Sequence, residues 1–437
     1  MNTIVRLEQI EISNLKNVRH GVINVNKNDL SFDRSNIIGL YGQNGSGKTA
    51  FVESLQILKQ LLSLNKLPKN SSRLIYFGQD EINLSYLFRV INDYGTFEVD
   101  YAVCLVEGKD RLVVKSEILK YRESIKYYKP KTVLSKIEKT ITIRNKQLMD
   151  FDESSRVEIM LANQLSKSEY TSFVFRHEIL SSVKPILKEQ EERIISSLSK
   201  DFNVDFHVIK ENGLIHENIL MLLNIHLKEV HGKMPYHLNQ PMVLPKEFFI
   251  HFKQTIDQIN IVLVNIIPDL SVIVNVIAEE TMEEGSQGIR FELLSEKKGV
   301  KLPLKCESAG VLKIISILST LIAVYNNENA CVVIDELDSG IFEFLLGELV
   351  EIMDSFGRGQ LFFTSHNLRV LEVLNKNNLW FTTSNPQNRF IKISGIKTKS
   401  NIRDMYIRTI QLGGEEEQLY DRIDKFFIKK SFQKARK

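Results

Sequence analysis

The stretch Gly42-Gln-Asn-Gly-Ser-Gly-Lys48-Thr49 follows the spacing G-x-x-x-x-G-K-[ST]. Glycines at 42, 45 and 47 let a backbone curl until successive N–H groups aim at phosphate oxygens. Asn44 and Ser46 sit inside the curl. Lys48 has the reach to meet the outer phosphates, and the Thr49 hydroxyl is of the right type to ligate Mg2+. A helix beginning here adds the positive end of its dipole. The chemistry is that of a cradle for a nucleotide phosphate. The apolar run before it and the amphipathic run after it are the strand and helix such a cradle needs.

A second constellation lies downstream, in Cys331-Val-Val-Ile-Asp-Glu-Leu-Asp338. An apolar strand ending in paired carboxylates places Asp335 to hold Mg2+ through water and Glu336 to orient or deprotonate an attacking water. Alone this pattern is weak; its position after a phosphate loop strengthens it. Between the two, Ser308-Ala-Gly310-Val-Leu-Lys313 opens a helix. Ser308 is an N-cap type, and Gly310 lets a phosphate come close, although a plain helix cap explains the same residues. Phe363-Thr-Ser-His366-Asn ends the next apolar strand with a histidine. A lone strand-end histidine is usually structural; here it stands where a γ-phosphate sensor would help.

The elements that must position these groups are readable from periodicity. Residues 4–12 and 20–25 read as strands, 36–42 as a buried strand and 48–64 as a helix. Two strand runs within 84–106 flank Asn-Asp-Tyr-Gly turn chemistry, and 112–121 continues the meander. From 122 to 265 helix-period runs dominate, which predicts a mostly helical insertion. Beyond 270 the α/β character returns, with paired strands, a helix over 308–325 and strands at 330–337, 360–366 and 379–384. The expected organisation is therefore a first lobe (1–121), the insertion (122–265), a second lobe (266–395) and a polar, basic tail (396–437).

Composition narrows the class. The chain has 437 residues, 43% hydrophobic and 25% charged, with a net charge of +3. That is ordinary for a globular protein and indicates no whole-molecule attraction to nucleic acid. Cys104, Cys306 and Cys331 are odd in number and far apart, none in a C-x-x-C pair, which suits a reducing, cytoplasmic setting. The N-terminus lacks the pattern of a signal peptide. The most apolar run, 259–278, is broken by Pro268 and Asp269, so no membrane span is expected. Nucleic acid remains an open partner through two patches. Residues 116–146 carry nine Lys/Arg against three Glu, with Tyr121, Tyr127 and Tyr128 interleaved, and the tail ends KKSFQKARK. A solvated face explains either patch as well. Glu107-Gly-Lys-Asp110 looks like a nuclease opening, with Asp150 and Asp152 as further carboxylates, but its setting is that of a hairpin turn.

The order GQNGSGKT, ESAG-VLK, VVIDELDSG, FTSHN, together with the opening EISNLKNV, resembles the ABC-type ATPase heads of the SMC, RecF and OLD groups. These are the bacterial AAA family ATPases of the abortive-infection kind. The resemblance covers 1–115 and 265–395 and leaves the middle unassigned. It implies an α/β P-loop NTPase fold, a two-lobed ABC/SMC-type head in which two heads sandwich two ATP molecules with Mg2+. Ser308 and Gly310 would then meet the γ-phosphate held by Lys48 of the partner subunit, Asp338 would belong to the D-loop, and His366 would be the switch histidine. The signature departs from the glycine-rich Ser-Gly-Gly-Gln form, the glutamine loop has only Gln79 as a candidate, and no long coiled coil is present. The implied role is an ATPase that dimerises on ATP, as a homodimer or higher homo-oligomer, and controls a separate effector, a nuclease or toxin, in antiphage defence. The competing readings are a RecF-type repair ATPase acting directly on DNA and an ATP-gated scaffold with little turnover. A transporter ATPase fits least.

Overall fold

The computed structural model describes residues 3–25, 34–124, 129–210, 215–216, 220–226, 231–282, 285–393, 401–412, 417–420 and 424–435. A six-stranded sheet forms the centre, in the order Phe206–Ile209, Cys331–Ile334, Gln360–Thr364, Asn36–Tyr41, Leu379–Thr382, Phe390–Ile391. The first five strands are parallel and the last is antiparallel. Parallel strands covered on both faces read as unbroken apolar runs, and CVVI and QLFFT are buried throughout. The period of two still sorts their side chains. Leu40, Val333 and Phe362 enter one core, while Tyr41, Ile334 and Phe363 enter the other.

The first core lies between this sheet and an eight-stranded antiparallel sheet. Its order is Val18–Asn24, Ile4–Leu15, Glu81–Asn92, Gly95–Glu107, Leu112–Glu123, Lys131–Ile137, Thr140–Ile143, Lys146–Gln147. The helix Lys48–Leu62 fills the gap with Phe51, Leu55 and Leu58, and Tyr86 donates to its Ser54 carbonyl at 2.7 Å. Buried Gln360 stitches the two sheets together. Its amide accepts from the Leu7 N–H at 2.8 Å and donates to the Leu7 carbonyl at 2.9 Å, beside a bulge between Leu7 and Gln9. The second core lies under the helices Lys246–Ile266, Ala309–Asn326 and Glu343–Phe356. Ala309–Asn326 is the one described helix long and apolar enough to cross a bilayer; it is mostly buried in this core.

The 122–265 stretch is more mixed than its helix-period runs predict. Helices do occupy Glu153–Glu169, His177–Val183, Glu189–Ser196 and Lys246–Ile266. The expected 121/122 boundary, however, falls inside the strand Leu112–Glu123, and the next three strands extend the same antiparallel sheet. Lysine at a buried strand position hides their alternation: Lys136 is fully buried, with its ammonium 5.6 Å from the Phe173 ring centroid. Farther on, Phe206–Ile209 pairs parallel to Cys331–Ile334 and belongs to the central sheet. Four residues are too few to show a period.

Candidate functional site

Three adjacent parallel strands end on one edge of the central sheet, the edge where open α/β sheets place ligands. Asn36–Tyr41 runs into the phosphate loop, Cys331–Ile334 into Asp335 and Glu336, and Gln360–Thr364 between them into His366.

The loop is held from several sides. Gly45 and Gly47 have φ of 78° and 108°, which only glycine adopts without strain. At Gly42 a Cβ would lie 1.6 Å from the Thr382 hydroxyl. Ser46 donates to the Gln43 carbonyl at 2.6 Å, and Thr382 reaches the Ser46 hydroxyl. The Asn17 amide donates to the Gly45 carbonyl. Arg389 donates to Asn17 O at 2.6 Å and to Thr383 O at 2.5 Å, and its stem lies against Gly47. Asn44, Gly45 and Thr49 remain exposed. Lys48 is buried, and its ammonium donates to Gly42 O at 2.8 Å and Gln43 O at 3.0 Å. Burial pulls its pKa down, against the opposing pull of Glu336, Asp335 and Asp338.

Opposite it, Thr364 organises the carboxylates. Its hydroxyl donates to Asp335 Oδ1 at 2.6 Å and accepts from the Glu336 N–H at 2.8 Å. Glu336 stands at φ 50°, a left-handed backbone that costs a non-glycine residue about 1–2 kcal/mol. Its carbonyl is held by Lys313 Nζ at 2.7 Å. Both peptide groups of Glu336 are thus tied by side chains from two other elements. His366 donates its N–H to Asp338 Oδ2 at 2.9 Å. Desolvation lowers its imidazole pKa, Lys48 lowers it further, and Asp338 opposes both.

Asp335, Glu336, Asp338 and His366 therefore all lie within electrostatic reach of Lys48. Ser308 and Gly310 stand apart on the rim. Ser308 caps its own helix by accepting from the Val311 N–H at 3.3 Å, and its residue is exposed. The close approach that needs Gly310 is made by a protein carbonyl: a Cβ there would lie 2.2 Å from Gly340 O. Gln79 turns its amide to its neighbour's carbonyl, Gly78 O, at 2.7 Å. Thr364 and Lys313 were not singled out from sequence. Thr364 had a signal, since it closes the strand that leads into His366; Lys313 had none beyond its place in the signature.

The other sequence candidates resolve into structural roles. Glu107–Asp110 is the turn between two paired strands. Asp150 accepts from the Gln147 N–H at 2.7 Å, and Asp152 caps a helix through Ser155 N at 3.0 Å. The 116–146 patch does not form one basic face. Burial brings the Lys136 pKa down to about 8, Arg144 pairs with Glu191 at 3.1 Å, Arg122 pairs with Glu98, and buried Tyr121 donates to Glu191. Tyr127 and Tyr128 lie outside the described residues.

The donor set fits a Mg2+–nucleotide. The cradle has room at Gly45, where a Cβ would meet nothing within 4 Å. Exposed Thr49 and oriented Asp335 supply hard oxygen ligands, and the loop amides with Lys48 supply phosphate donors.

Curated proteins give no match. Similar solved structures include an SMC head bound to the C-winged helix domain of ScpA, at 13% identity over 89% of this chain and 98% of that one, with a TM-score of 0.44. The SMC head domain from Thermotoga maritima is similar at 11% identity over 89% of this chain and all of that one, with a TM-score of 0.41. The recombination mediator protein RecF with ATP follows at 12% identity over 83% and 94%, with a TM-score of 0.35. Residues 37–372 match the family described as "AAA domain, putative AbiEii toxin, Type IV TA system". That span holds the phosphate loop, the signature, the paired carboxylates and the histidine, and the chain belongs to this family of P-loop ATPases.

Proposed function

We propose that this chain hydrolyses Mg-ATP at a composite site, closes into a homodimer when ATP binds, and thereby switches a separate effector, a nuclease or toxin, in antiphage defence. The observation that carries the reading is Glu336. It is held in a strained backbone by Thr364 and Lys313 and stands opposite Lys48 at the sheet edge. Such strain persists only where the surroundings over-determine it, and it concentrates at sites of function.

In this reading the loop amides and Lys48 bind the β- and γ-phosphates of the substrate. Thr49 and Asp335 hold Mg2+, which neutralises phosphate charge when bound. Glu336 orients the attacking water and accepts its proton. His366, mainly neutral at pH 7, donates a hydrogen bond toward the γ-phosphate. Exposed Ser308, with Gly310 behind it, completes the partner's site. Family membership supports the ATPase chemistry and the link to abortive infection. The dispersed basic residues of 116–146 give the DNA-repair reading less support.

Glu336→Gln tests the proposal. The variant should bind ATP, lose about 100-fold or more of turnover and accumulate as an ATP-bound dimer in sedimentation velocity. Equal binding and dimerisation in both proteins, with no measurable hydrolysis in either, would establish a scaffold and overturn the enzyme reading.

A further inference from the structure

Two helices of this chain have opposite character, and both lie open. Lys425–Ala435, KFFIKKSFQKA, carries four lysines and no acid, and every residue in it is exposed. Helical spacing puts Ile428 and Phe432 on one face, with Phe427 at its edge and Lys429 and Lys434 on its flanks. Phe427 is 62% and Phe432 76% exposed, far more aromatic surface than an isolated soluble helix sustains without a partner. Glu343–Phe356, EFLLGELVEIMDSF, carries four acids and no lysine or arginine. Its inner side packs Leu346, Val350 and Met353 into the second core. Its outer side presents Phe344, Glu348, Glu351, Ile352 and Phe356, with the three apolar residues 50%, 42% and 66% exposed in that order. Arg369 stacks 5.2 Å from the Phe344 ring and lies 4.0 Å from Glu348.

We infer that a second copy of this chain docks its Lys425–Ala435 helix on the outer face of Glu343–Phe356. Aromatic residues supply the buried centre and the opposite charges supply register and specificity, as in other interfaces. The tail helix is exposed along its whole length, so it does not cover the acidic face of its own chain. In a two-fold dimer each tail meets the other subunit's acidic helix, and the contact closes on itself twice. The acidic helix begins directly after the Asp338–Gly340 turn, so an occupied face would brace the segment that carries Asp338 against His366. The contact does not rest on the ATPase reading and is expected without nucleotide.

The test uses the full chain with Lys48→Ala, free of nucleotide, in sedimentation velocity at low salt. One variant adds Lys429→Glu and Lys434→Glu; the other adds Glu348→Lys and Glu351→Lys. Each alone should associate at least about tenfold more weakly than the parent. Mixed together they should re-form a dimer, because one contact then pairs the two charge-reversed segments and the other pairs the unchanged basic tail with the unchanged acidic helix. Failure of the mixture to associate while a single chain carrying all four changes regains a compact tail would place the contact within one subunit and overturn the proposal. Unchanged association of both separate variants, or tail-dependent binding to anionic vesicles or an oligonucleotide with no self-association, would overturn it as well. Failure here leaves the Glu336→Gln result untouched.

Discussion

Two of the described helix starts carry glycines, and they are built differently. At the phosphate loop the N-cap is Gly47 in a left-handed conformation, and no side chain caps the helix. Its first amides are left for a ligand. At the signature, Ser308 caps its own helix and Gly310 is packed against Gly340 O. That end is already satisfied within the chain. In the proposed reading, one start is an anion site in its own right, and the other exchanges a cap for a ligand brought by a second subunit. The proposed composite site would use this asymmetry.

Removing Lys48 should have the largest effect. Lys48→Ala should abolish measurable ATP binding by calorimetry, a loss of about 100-fold or more. Retained affinity would mean that the loop is not a nucleotide cradle. Gly310→Ala comes next. The added methyl meets a backbone carbonyl, so the signature helix must shift, at about 1–3 kcal/mol of stability. ATP affinity at the protein's own loop should survive while turnover falls, and loss of both together would dissolve the contrast between the two starts. Thr364→Val removes the hydroxyl that Asp335 and Glu336 share, and should lower kcat about tenfold and stability by about 1–3 kcal/mol. A KM change alone would assign Thr364 to packing.

Ser308→Ala should cost about 1 kcal/mol in thermal stability if the serine acts as a cap. A far larger loss of ATP-dependent dimerisation than of stability would expose the second role. The smallest effect is on pH dependence. The folded His366 pKa lies below the usual 6.5, so the unfolded chain takes that proton first. The stability is present above about 6.5 and is lost as pH falls through that value toward the lowered folded pKa. His366→Gln should therefore flatten the drop in Tm between pH 7.5 and 5.5. An unchanged slope would show that His366 does not contribute to it.

The motifs were legible because each is local. A phosphate loop needs glycines at fixed offsets, and an apolar strand ending in Asp-Glu announces itself within eight residues. Their enclosing elements were legible too, since Lys48–Leu62 and Ala309–Asn326 are long enough to show a period. The strands after residue 122 were not, because Lys136 occupies an interior position and satisfies it through Val114 O at 3.3 Å and the Phe173 ring. The Glu117 carboxylate is also interior, accepting from Tyr101 at 2.6 Å and Phe173 N at 2.8 Å, but it lies in the 112–121 run, whose remaining apolar residues kept the strand legible. Buried charges whose partners lie far away in sequence break the patterning from which a strand is read.

By itself the sequence determined which atoms could do chemistry: a phosphate cradle, two carboxylates, a histidine and a serine cap, in fixed order. Only the tertiary structure decided how they are held. Thr364 reaches Glu336 across 28 residues and Lys313 across 23, and Gly310 meets a carbonyl instead of a phosphate. Side-chain identity and local spacing are properties of the chain, whereas hydrogen bonds between neighbouring strands and helices exist only once packing has brought those elements together.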